Sequence, residues 1–176
     1  MARIPFLPLD LKEPKALVDA VRARRGGQLL ELDRLLLHSP ALAEGWNFHL
    51  NQVRTKLGID AKLRELAMCG VAVVNKAEYE LKAHLPLFVK AGGTQEQGKA
   101  LRNLEAAAKD TKLFNALERA TIALTYEMTK NVSVSDATFA AAREALGSDK
   151  LLVELVGVIG TYNMVSRFLV AFELHP

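Results

Sequence analysis

Residues 64–92 read RELAMCGVAVVNKAEYELKAHLPLFVKAG, and the way this stretch places Glu65, Glu80 and His84 decides how the chain folds. Glu80 and His84 are four apart, so a helix puts them on one face where their side chains can meet. Glu65 precedes Glu80 by fifteen residues. Along one unbroken rod, at about 1.5 Å per residue, the two carboxylates would stand roughly 22 Å apart and could not cooperate. A reversal near Asn75-Lys76 changes this, because Glu65 lies ten residues before Asn75 and His84 nine after it. The β-branched Val73-Val74 followed by Asn75 weakens a helix at that point. The expectation is therefore an antiparallel helical hairpin that gathers two carboxylates and one imidazole among apolar residues. Burial raises carboxyl pKa values and a nearby carboxylate favours protonated imidazole, which outlines a general acid–base site. The competing reading is a solvated Glu65 beside Lys62 and Arg64, with Glu80–His84 a surface pair worth about 0.2–0.5 kcal/mol.

Working outward, nearly every segment has a helical period. Pro5, Pro8 and Pro14 make the first fifteen residues an extended arm. Leu29 to Leu37 suits a helix stopped at Ser39-Pro40, where Ser39 is a candidate N-cap and Pro40 opens the next helix. That helix runs to Leu57, with Gly58 suited to a left-handed position after it. Asp60 can cap a helix over 61–74, and another spans 77–91 before Gly92-Gly93. Thr94 to Gln97 has the form of a capping box. Further helices are expected over 110–130, over 137–146 with a stop at Gly147, and from about 149 to 172. No segment alternates like a strand. The fold class is read as all-α, with an arm and first short helix in 1–28 and the main domain in 29–176.

Composition narrows the function. The chain has 176 residues, 50% of them apolar, with a net charge of +3. This suits one packed domain and leaves apolar surface for a subunit interface. A pI near 9.0 reflects a small excess of strong bases, so nucleic acid is not an expected partner. The densest basic run, Arg22-Ala23-Arg24-Arg25, is read as a solvated face. Cys69 is the only cysteine, which leaves no disulfide or Cys-x-x-Cys pair, and it is read as a buried structural thiol. Four scattered histidines do not suggest a metal site. No run of 18 continuous apolar residues and no leader-like N-terminus is present, so the expectation is a cytoplasmic protein without membrane contact.

The window is similar to the core of the carboxymuconolactone decarboxylase and AhpD-like family, in which a helix bearing Glu is followed by Cys-x-x-Cys-x-x-x-His or Glu-x-x-x-His. Glu65 and His84 match the family's glutamate and histidine. The two cysteine positions fall on Ala77 and Glu80, so the chain resembles the cysteine-free branch. Ser39-Pro40 with Trp46, Glu118-Arg119-Ala120, and Gly160 to Arg167 extend the likeness over 30–172. The resemblance implies an AhpD-like helical bundle with a central helical hairpin, assembled as a trimer or hexamer. It implies cofactor-free decarboxylation of a small carboxylated lactone in aromatic catabolism, with catalysis by Glu65, Glu80 and His84. His84 would hydrogen-bond the developing charge or deliver the proton, Glu80 would orient it and Glu65 would relay protons from solvent. Trp46, His49, Tyr79, Tyr162, Asn163 and Arg167 are candidate substrate-binding residues. The alternatives are an AhpD-like peroxidase relative that has lost its cysteine pair, or a non-catalytic oligomeric binding protein.

Overall fold

The computed structural model describes residues 2–176, and the described residues form ten helices and no strand. They divide into two compact units, one comprising the chain through Leu57 together with Ala171–His175, the other Gly58–Val170.

The first unit holds α1 (Lys15–Arg24), α2 (Glu31–Leu36) and α3 (Pro40–Thr55), with α1 and α2 both packed on α3. The arm before α1 is non-helical, as its prolines dictate, and is tied down by backbone acceptors: Arg22 donates to the Leu9 carbonyl, Arg34 to that of Leu7, and the Arg3 amide to that of Phe172. The basic run departs from the solvated face expected of it. Arg24 and Arg25 converge on Asp33, which is only 2% exposed, and Asp33 also accepts the Leu30 amide at 3.0 Å to cap α2. A buried carboxylate needs such partners, and two neighbouring guanidiniums supply them. Asp33→Asn keeps the shape and removes the charge, so it should cost about 1.5–3 kcal/mol of stability in urea unfolding. An unchanged midpoint would show that the arginines act as a solvated face after all.

The second unit is built around α4 (Ala61–Val74) and α5 (Glu78–Lys90), an antiparallel pair joined by three residues. Asp60 caps α4 by accepting the Lys62 and Leu63 amides. At the other end Ala77 N–H bonds Ala72 O at 2.8 Å and Lys76 N–H bonds Val73 O at 3.1 Å, a Schellman closure in which Lys76 takes the left-handed conformation at φ 57°. The chain therefore reverses where the sequence places it. α5 continues through Pro86, which sits on its exposed side.

α6 (Gln95–Ala100) packs on α5, α8 (Ala116–Lys130) packs on α4, α7 (Leu104–Ala107) and α9 (Asp136–Leu146) pack on α8, and α10 (Asp149–Ala171) meets the hairpin through Asn163 and Tyr162. Gly70 lies in the interior where α4 meets α8, and a Cβ there would come within 3.0 Å of Thr125 and 3.1 Å of Leu104, a tight approach that any larger residue would have to push apart by a few tenths of an ångström. The expected helix over 110–130 begins only at Ala116. Asp110 instead caps a separate turn through the Lys112 and Leu113 amides, and Asn115 with Glu118 forms a capping box. The Thr94–Gln97 box and the left-handed Gly147 are as expected. Gly58 is not left-handed: α3 stops at Thr55, and Gly58 lies against the side chains of Lys150 and Glu154. α10 is long and apolar enough to cross a membrane by length and composition, and half of that stretch is buried within the protein. Its inner face carries Thr161, Asn163 and Ser166 among the apolar side chains.

Candidate active site

The hairpin register places Glu65 of α4 opposite His84 of α5. Glu65 Oε2 lies 2.7 Å from His84 Nδ1, with the two residues only 5% and 6% exposed. A carboxylate at Nδ1 fixes the ring orientation and raises its basicity at Nε2, the arrangement used by proton-transferring histidines. Tyr162 of α10, itself buried, meets the imidazole edge-on with ring centroids 4.9 Å apart. The ring is thus held by a hydrogen bond on one side and aromatic packing on another.

Glu80 shares the His84 face of α5 but does not orient the imidazole. It is 2% exposed, and neither carboxylate oxygen has a hydrogen-bond partner. Burial pushes its carboxyl well above the usual range. Ser166 directs its own O–H to the Tyr162 carbonyl at 2.5 Å. Burial therefore favours the protonated form of Glu80. The orienting carboxylate is Glu65, which the fold-back brings into direct contact with the ring, whereas spacing along one helix pointed to Glu80.

Cys69, one turn after Glu65, is fully buried. Burial raises its thiol far above the usual range, and the nearby Glu65 and Glu80 carboxyls raise it further. A thiolate nucleophile is strongly disfavoured there. Lys62 is taken up by Glu118 at 2.5 Å, and Glu118 also accepts from Gln97 and the Asn115 amide. The solvated charge cluster envisaged around Glu65 is absent. Arg64 remains beside the pair, its Nε 3.9 Å from Glu65 Oε1, buried and without a hydrogen bond.

The other candidates separate by place. Asn163 is a structural junction: its Nδ2 donates to Thr129 Oγ1 and the Ile159 carbonyl, and its Oδ1 accepts from Asn75 Nδ2 at 3.1 Å and from Arg167 at 2.5 Å. It ties the hairpin turn to α8 and α10. Arg167 also donates to the Asn163 carbonyl. Tyr79 is half-buried at the start of α5. Trp46 and His49 both lie on α3 in the first compact unit, Trp46 buried and His49 exposed. Arg64 and Ser166 escaped the sequence reading. Arg64 had only its adjacency to Glu65 as a signal, and Ser166 only its spacing of four from Tyr162.

Residues 40–123 match the model of the carboxymuconolactone decarboxylase family. Solved structures give the same fold over nearly the whole chain. An uncharacterized peroxidase-related protein from Silicibacter sp. TM1040 superposes with TM-score 0.78 at 17% identity, covering 99% of this chain and 90% of its own. A protein of unknown function from Agrobacterium tumefaciens, a candidate AhpD antioxidant-defence protein, gives 0.72 at 19% identity over 81% of this chain and 95% of its own. A cysteine-to-alanine variant of the debrominase Bmp8, in complex with 2,3,4-tribromopyrrole, gives 0.80 at 14% identity over 98% and 92%. At these identities the likeness establishes the all-α AhpD-like fold. No curated protein matches the chain.

Proposed function

Because residues 40–123 match the carboxymuconolactone decarboxylase family model, we propose that the chain is a member of that family and catalyses acid–base decarboxylation of a small carboxylated lactone. The observation that carries this reading is the buried His84–Glu65 contact at 2.7 Å, a pre-oriented proton donor in a site from which water is largely excluded. In the proposed reaction the bond between ring carbon and carboxylate breaks, CO2 leaves, and the electron pair passes into the lactone as a dienolate. The imidazolium of His84 protonates the ring carbon. Glu65 stabilises the charged ring before transfer, and the imidazole regains its proton from solvent, so each turnover consumes one proton. Glu80, whose burial favours the protonated form, opposes the departing carboxylate less than an ionised acid in its place would.

Two features weigh against thiol-based peroxide reduction as the alternative. Ala77 and Glu80 stand where the AhpD-like pattern has cysteines, and the Cys69 thiol is held protonated. The test is CO2 release from 4-carboxymuconolactone, followed manometrically with purified protein. Release that depends on His84 is expected. An inert wild-type protein would end the decarboxylase reading.

A further inference from the structure

Among the described residues, three buried side-chain polar atoms have no hydrogen-bond partner: Arg64 Nε and the two carboxylate oxygens of Glu80. All three belong to residues beside the His84–Glu65 pair, one adjacent to Glu65 in sequence and the other one helical turn before His84. Buried polar groups are normally satisfied, and a guanidinium donor left unsatisfied in a site is a donor kept for something that arrives later. Glu65 does not satisfy Arg64. Its Oε2 is engaged by His84, and its Oε1 stands 3.9 Å from Arg64 Nε, beyond hydrogen-bond reach.

We propose that Arg64 is the specificity-determining residue of this site and binds a carboxylate of the ligand. The proposal rests on the acid–base reading of the site for its location, but not on the bond that is broken. Arg64 has a suitable position. Its side chain is 17% exposed, so it links the buried pair to the surface. Lys62, the other cation of that turn, is already committed to Glu118 and does not compete. Donor capacity points the same way. Arg64 has only a loose 3.9 Å contact with Glu65, whose other oxygen is engaged by His84, so its guanidinium keeps donors for a second carboxylate. For a decarboxylating enzyme the carboxylate held by Arg64 is one that the product retains, because an ion pair to the departing group would oppose its loss.

The experiment uses a saturated γ-lactone bearing an acetate side chain, which has no route to CO2 loss, and its acetamide counterpart. Binding of each to the wild type, Arg64→Met and Arg64→Lys is measured by calorimetry. The expected result is that Arg64→Met weakens the acetate probe by roughly 10- to 100-fold, a charge-assisted hydrogen bond's worth, and leaves the acetamide probe unchanged. Arg64→Lys should recover part of the loss. Equal weakening of both probes, no weakening of the acetate probe, or no binding of it by the wild type would each overturn the assignment. If the wild type binds the acetate probe through Arg64 yet releases no CO2 from 4-carboxymuconolactone, the decarboxylase reading fails and the carboxylate site stands.

Discussion

His84→Ala should lower CO2 release by about 100- to 10,000-fold, the range lost when a positioned general acid is removed. The fold supplies the reason for so large an effect. The imidazole is the one group in the hairpin that has a charged orienting partner, aromatic packing on a second side and a position inside the apolar interior. Deleting it also leaves Glu65 without its ring partner, at a stability cost of about 1–3 kcal/mol. The variant must therefore be compared at a temperature where its helical circular dichroism equals that of the wild type. Glu65→Gln is the informative companion. It keeps an acceptor for Nδ1 but removes the charge that stabilises imidazolium, so its activity should fall less than that of His84→Ala and its acidic pH limb should move. Turnover by His84→Ala at the wild-type rate would remove the imidazole from the chemistry.

Glu80→Gln should change the pH dependence of stability more than any other single replacement in the second unit. Burial holds the folded-state carboxyl well above the ordinary value of 4.5, whereas in the unfolded chain it ionises near that value. Unfolding therefore releases a proton at any pH between the two. The wild type is most stable relative to its unfolded chain below the ordinary value and loses stability as pH rises, by up to about 1.4 kcal/mol per unit, until the folded-state value is passed. Glutamine has no ionisation to lose. Its buried amide adds a constant cost, so the readout is the slope: as pH rises above 4.5 the stability of Glu80→Gln relative to the wild type should climb until the folded-state value of Glu80 is passed. Parallel curves for the two proteins would show that Glu80 is ionised in the fold.

The hairpin was legible in the sequence because its geometry follows from spacing alone. Ten residues before a break and nine after it put Glu65 and His84 opposite each other, and a β-branched pair followed by Asn75 marks the break. Caps were legible for the same reason, since Asp60, Thr94 and Gly147 act on residues within one turn of themselves. What escaped depends on contacts distant in sequence. Spacing could not tell which carboxylate holds the imidazole, because an i,i+4 pair on one helix suggests Glu80, and only the packing of two helices decides for Glu65. The environment of Arg24 and Arg25 depended on Asp33 folding back against them, eight to nine residues away. The hydrogen bonds of Asn163, a candidate binding residue, run to Asn75, Thr129 and Arg167, partners that spacing along the chain does not reveal. The onset of α8 was placed too early because Asp110 is as good a local cap as Asn115.

The clasp formed by Asn75 and Asn163 sits at the closed end of the hairpin, ten residues or about 15 Å of helix from Glu65. A peg driven through a bend into the beam beside it fixes where the bend sits along that beam, so Asn75 and Asn163 hold the closed end of the hairpin at one level of α10. The contact of His84 with Tyr162, on the same beam, inherits its alignment from that peg.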